Sequence, residues 1–125
     1  MATKSVILCD MEGVIESIND PAEKIFGYNK EELIGKKRVS IFSPGEIVLQ
    51  NVGTWLSEAA EKGEYVTETI FIRKSGEEFP ARIRITPTYK HGKEEGMTGY
   101  CGVTEELDEP VEVPIKWSTY LIKAL

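Results

Sequence analysis

Two cysteines, one histidine and 21 acidic side chains are the groups in this 125-residue chain that could do chemistry. Cys9 and Cys101 lie in the apolar runs SVILCD and GYCGV, and His91 lies in the polar stretch KHGKEEG. These are too few for a structural zinc site of cysteine and histidine ligands alone, and their spacing is not that of metal ligands. There is no nucleophile–base arrangement and no glycine-rich phosphate loop, and spacing alone pairs none of the carboxylates for acid–base work. A net charge of −6 opposes nucleic acid and anionic membrane surfaces, because both repel an acidic domain. No enzyme is expected, and binding is the chemistry left to consider.

The elements that would hold a binding site are marked by their punctuation. A chain of this length with 41% apolar residues encloses one core and reads as one domain. It has no apolar run near the ~18 residues of a membrane span, and MATKSVILCD lacks the basic start and cleavage site of a secretory signal, so a soluble cytoplasmic protein is expected. SVILCD, the turn DMEG and VIESIN read as a hairpin. A capping residue followed three positions later by glutamate then occurs three times: Asp20 with Glu23, Asn29 with Glu32, and Ser43 with Glu46, leading to Gly27, Gly35 and Gly63. Two short helices and one long one are predicted. In the long one Val48, Val52, Trp55, Leu56 and Ala59 share a face. YVTETIFIR and EFPARIRITPTY, joined by KSGE, read as paired strands, with Phe79, Ala81, Ile83 and Ile85 on one face and Arg82, Arg84 and Thr86 on the other. MTGYCGV is the last strand. The order is β-β-α-α-α-β-β-β.

FGYNKEELIG, residues 26 to 35, resembles the hallmark segment of PAS sensory domains, and its company agrees. Asp10 and Gly13 resemble that family's first turn, SINDPAEKIFGY its next segment, RKSGEEFPARIRITP its hairpin, and GYCGV its final strand. The resemblance covers about residues 5 to 108. It implies an α+β fold, a five-stranded antiparallel sheet with short helices and one longer helix packed on one face, often around a small-molecule pocket. It also implies a sensory or signalling role, with dimerisation or docking as the alternative duty of a ligand-free module.

Haem-binding relatives use a histidine in the long helix. GEIVLQNVGTWLSEAAEK has none, and His91 falls in a polar loop, which argues against histidine-ligated haem. Light-sensing relatives form a flavin adduct through a cysteine in the helical region; RVSIFSPGE lacks one, which argues against that chemistry. Cys9 and Cys101 would sit on neighbouring strands, leaving a redox disulfide open, although buried free thiols are the stronger reading. Ile41, Phe42, Val48, Val52, Trp55, Leu56, Ile83, Ile85, Cys101 and Val103 would line a pocket between helix and sheet, or simply fill the core. Such a pocket would suit an apolar or aromatic small molecule.

The PAS domain is expected over residues 1–108, with an apolar extension over 109–125. Many signalling relatives end in an Asp-Ile-Thr triplet before a helical linker; here the place of that signal exit is taken by Glu106, Leu107 and Asp108. Pro110 and Pro114 then oppose a continuous helix. Val111, Val113, Ile115 and Trp117 alternate, and Tyr120, Leu121, Ala124 and Leu125 follow at helical spacing. This pattern is expected either of a segment cut from a longer protein with an attached output domain, or of a tail that covers the sheet or crosses to a partner, giving a homodimer.

Overall fold

The computed structural model describes residues 4–45 and 51–108. β1 (Ser5–Asp10) and β2 (Ile15–Ile18) form the first hairpin. Its turn is closed by the Asp10 carboxylate, which accepts from the N–H groups of Glu12 and Val14 at 2.9 Å each. Gly13 supplies the φ of +85° that the turn requires. Two short helices follow, α1 (Asp20–Phe26) and α2 (Lys30–Leu33), then a 3-10 turn over Val39–Phe42. The described part of the long helix, α3, is Gly53–Lys62. The chain then folds into β3 (Tyr65–Ile72), β4 (Glu78–Thr88) and β5 (Gly99–Glu106).

The helix ends follow the capping chemistry with two changes. The cap of α1 is Asn19, one residue before the expected Asp20. Asn19 wins because its amide has both polarities: Oδ1 accepts from the N–H groups of Ala22 and Val6 at 3.0 Å, and Nδ2 donates to the Lys4 carbonyl at 3.1 Å. A carboxylate could not make the last bond, so this cap also ties α1 to β1. At α2 the Glu32 carboxylate accepts from the Asn29 N–H at 2.7 Å, but the helix closes at Ile34, one residue before Gly35. α3 ends on Gly63, whose N–H donates to the Ala59 carbonyl at 2.8 Å. Glu46 and Val48, from the expected start of that helix, lie outside the described residues.

The five strands form one antiparallel sheet in the order β2-β1-β5-β4-β3, so the last strand takes the centre. Its entry into the sheet requires glycine at 99, because a Cβ there would lie 1.9 Å from the Cys9 carbonyl oxygen. The inner face carries the core. Ile7 and Cys9 of β1, Phe71 of β3, Phe79, Ala81 and Ile85 of β4, and Tyr100 of β5 pack with Phe26, Phe42, Trp55 and Ala59 from the helical side. The outer face carries charges: Arg82 reaches Glu68 at 2.6 Å and Glu105 at 2.8 Å across three strands, and Arg84 pairs with Glu64. All are solvent-accessible, so they set the character of the face more than its stability.

Candidate functional site

A cavity of about 60 Å³ lies between the inner face of the sheet and the helical layer. Ile7 and Cys9 of β1, Phe71 of β3, Ile83 and Ile85 of β4, and Tyr100, Gly102 and Thr104 of β5 form its floor. Phe26, Val39, Phe42, Ser43, Val52, Trp55 and Leu56 close it from the other side. Ser43, Thr104, Tyr100 and the Cys9 thiol are the polar side chains on a wall that is otherwise apolar.

Register explains which residues reach it. On β4, Ile83 and Ile85 face inward together with Phe79 and Ala81, as the alternation predicts. Their partners on β5 are Thr104 and Gly102, which therefore share that face. Cys101 and Val103, both expected on the pocket side, instead stand opposite Thr86 and Arg84 on the outer face. The one-residue phase is the whole difference, since neighbouring side chains on a strand point to opposite faces. Apolar character favours Cys101 and Val103, but the pairing of β5 with Ile83 and Ile85 of β4 puts Thr104 and Gly102 on the inner face instead.

Phe42, Val52, Trp55, Leu56, Ile83 and Ile85 are thus brought together at the cavity. Ile41 is half-buried in the 3-10 turn and packs on the core without reaching the cavity, and Val48 lies outside the described residues. Ile7, Cys9, Phe26, Val39, Phe71 and Tyr100 line it without having been singled out. For Ile7 and Cys9 a signal exists in the alternation of SVILCD, whose first, third and fifth residues are the buried ones.

A family model described as "PAS domain" matches residues 3–104. The chain belongs to the PAS domain family. In solved structures the fold recurs in a PAS domain from Colwellia psychrerythraea, with a TM-score of 0.77, 22% identity, and 83% of this chain and 86% of that one covered. It recurs in the PAS domain, in complex with ethanol, of a LuxR-family transcriptional regulator from Burkholderia thailandensis, with a TM-score of 0.66, 22% identity and coverages of 87% and 93%. A PAS domain from a two-component sensor histidine kinase matches with a TM-score of 0.68, 15% identity and coverages of 83% and 85%. Among curated proteins, Two-component system protein A of Emericella nidulans is 30% identical over 108 residues, 86% of this chain; the chain spans 15% of that relative's length.

The two cysteines of this PAS domain do not form a redox pair. Cys9 stands opposite Tyr100 on the inner face, whereas Cys101 stands opposite Leu8 on the outer face, and both are free thiols. Burial pushes the Cys9 thiol up to about 11, against 9.0 for an ordinary cysteine. The sign of the consequence is fixed by the neutral form being the one the core prefers. Below pH 9 both folded and unfolded chains carry the proton, whereas between pH 9 and about 11 the unfolded chain has released it and the folded chain has not. Stability contributed at this site is therefore expected to fall by about 1.4 kcal/mol per pH unit across that window. Comparing denaturation of the native protein with Cys9→Ala at several pH values isolates it: the difference is flat below pH 9 and sloped above. A flat difference up to pH 11 would contradict the burial of the thiol.

Beside the cavity is a cluster of rings that runs toward the end of β5. Phe26 packs on Phe42 with centroids 4.3 Å apart, on Phe71 at 5.7 Å and on Phe79 at 5.8 Å. Over Phe79 lies the Arg73 guanidinium, 4.0 Å from the ring centroid. Arg73 donates to the Ile25 carbonyl at 2.6 Å, to Glu77 at 2.6 Å and to Glu106 at 2.8 Å. The Leu107 N–H donates to the Pro80 carbonyl at 2.9 Å. Of the three signal-exit residues, Glu106 and Leu107 are thus fastened to the sheet, and Asp108 is exposed. His91 is exposed in the loop before β5.

Among the described residues no group of histidine, cysteine and carboxylate side chains could hold a metal ion, and no helix is long and apolar enough to cross a membrane.

Proposed function

We propose that this PAS domain is a sensory module that binds a small apolar or aromatic molecule between α3 and the sheet and relays a change to an attached or associated partner. The observation that carries the reading is the cavity itself: an apolar space with a few polar groups at its wall, placed between the helical layer and the sheet. Its volume of about 60 Å³ suits a molecule of a few heavy atoms. An apolar cavity of about 150 Å³ is the scale that admits benzene, so an aromatic occupant requires the cavity to widen. The ethanol held by the Burkholderia PAS domain is of the smaller size class.

Relay requires that the occupant bind two conformations with different affinity. Contacts run from the cavity residues Phe26 and Phe71 through Phe79 to Arg73 and Glu106, a continuous path to the exit strand. The two-component relative, of which this chain matches a small part, supports an output domain as the receiver. The role proposed for the domain is sensing rather than catalysis.

Absorbance of the purified protein, followed by mass spectrometry of what denaturation releases, tests the reading. A stoichiometric small molecule is expected; failing that, small alcohols or aromatics should raise the unfolding temperature, by an amount equivalent to about 2.7 kcal/mol at a hundred times the dissociation constant. No released molecule and no stabilisation by any probe would replace sensing with the second reading, a ligand-free module for docking or dimerisation. The small size of the cavity is what favours that alternative.

A further inference from the structure

We propose that the Ser5–Thr104 pair at one end of the cavity anchors a single neutral oxygen, so that the molecule taken there is a short alcohol or carbonyl compound rather than a hydrocarbon. This deepens the sensory reading, on which it rests. Ser5 is 0% exposed, and its Oγ bonds to nothing, its neighbour Thr104 included. A buried hydroxyl without a partner is costly, and in native proteins such a group is served by an ordered water or a bound molecule. Every residue of this anchor is among the described ones, whereas the apolar extension expected over 109–125 lies outside them.

The sheet sets this hydroxyl beside the cavity. On β1 the Val6 N–H donates to Asn19 Oδ1 at 3.0 Å and the Val6 carbonyl accepts from the Asn19 N–H at 3.1 Å, both on the β2 side. Ser5, Ile7 and Cys9 therefore turn their backbone groups to β5, where they stand opposite Thr104, Gly102 and Tyr100. Ser5, Ile7 and Cys9 are the buried residues of β1, so the three pairs lie on the inner face. Thr104 is 3% exposed and lines the cavity. Opposed residues on one face hold their Cβ atoms about 5 Å apart, so an oxygen lying against Thr104 is within reach of Ser5 as well.

The rest of the floor decides the size and charge of what carries that oxygen. Gly102 has no side chain, and its partners Ile7 and Ile85 are apolar. Same-face neighbours on a strand are about 7 Å apart, so a molecule two or three bonds long lying over Gly102 brings an oxygen to the Thr104 hydroxyl and leaves its carbon end among the isoleucines. The opposite end is not equivalent, because the Cys9 thiol is already engaged by the Tyr100 backbone. Among the described residues no charged side chain lines the cavity, so a carboxylate would be buried unpaired and a neutral oxygen is what fits. Each hydroxyl of the pair can donate and accept, which suits either an alcohol or a carbonyl oxygen.

Amide shifts at Ile7, Ile85 and Gly102 in the isotopically labelled full chain test this with two probes: 1-propanol, which carries the oxygen, and xenon, which fills an apolar void without one. Both should move these amides in the native protein. In Thr104→Val, which keeps the shape and removes the hydroxyl, the dissociation constant for 1-propanol should rise about three- to tenfold while the response to xenon stays the same. Ser5→Ala should act likewise and leave the probe-free protein no less stable, because the hydroxyl it removes has no partner in the fold. An unchanged 1-propanol affinity in either variant, or equal weakening of both probes, would overturn the anchor and leave the cavity as a binding site. A destabilised probe-free Ser5→Ala would also overturn it, by giving the hydroxyl to an ordered water. Native amides that respond to neither probe would overturn the binding reading itself.

Discussion

Replacing Phe26 by alanine is expected to remove about 3–5 kcal/mol of unfolding free energy, seen as a lower denaturant midpoint at unchanged slope. Phe26 is 1% exposed and touches the rings of Phe42, Phe71 and Phe79. It belongs to α1, yet its ring is the hub at which that helix, the 3-10 turn and the β3–β4 hairpin meet. Alanine leaves a void that three large side chains from different elements cannot close together, so the cavity term adds to the lost transfer energy. The loss is a large fraction of the roughly 5–15 kcal/mol that holds such a domain together. Ile34→Ala, at a residue 39% exposed, is the matched control and should stay within about 0.5 kcal/mol. Similar losses for the two variants would mean that the ring cluster is not the centre of the core.

Arg73→Ala has the second large effect, about 2–3 kcal/mol, and it acts on a different part of the molecule. The side chain is 19% exposed. Its ion pairs with Glu77 and Glu106 contribute little by themselves, because the carboxylates are 65% and 43% exposed. The greater part comes from the bond to the part-buried Ile25 carbonyl and from the cation lying on Phe79. Arg73→Lys should recover less than half, since an ammonium cannot serve three acceptors in a fixed plane. The specific readout is local: amide exchange at Leu107 should quicken in Arg73→Ala beyond what the global destabilisation explains. An unchanged Leu107 would remove Arg73 from any path between cavity and exit.

Much of the domain was legible because it is written in local patterns. FGYNKEELIG is accounted for by capping and by glycine: Asn29 and Glu32 open α2, and Gly27 closes α1 at a φ of +82°. Alternation placed Phe79, Ala81 and Ile85 correctly on β4, because a strand packed on one face must bury every second residue. The faces of α3 followed for the same kind of reason, with Trp55 and Ala59 buried at helical spacing. The cap at Asn19 was misread by one position because its decisive bond goes to Lys4, fifteen residues away, and no local rule contains it.

The cavity was less legible, and the reason is register. Cys101 and Val103 are more apolar than Gly102 and Thr104, so composition pointed to the wrong face of β5. The face of a central strand is set by its partners, and Ile83 and Ile85 place Thr104 and Gly102 inside. The sequence by itself determined the order of the elements, the start of α1 and the end of α2 to within one residue, which residues of the self-contained hairpin face inward, and the family, because capping, turns and alternation act over a few residues. Only the tertiary structure decided that β5 lies between β1 and β4, that a glycine there leaves room for a cavity, and that Arg73 joins α1 to the exit strand. Those outcomes depend on contacts between segments far apart in the chain, where the energy lies in packing and register rather than in the identity of any one residue.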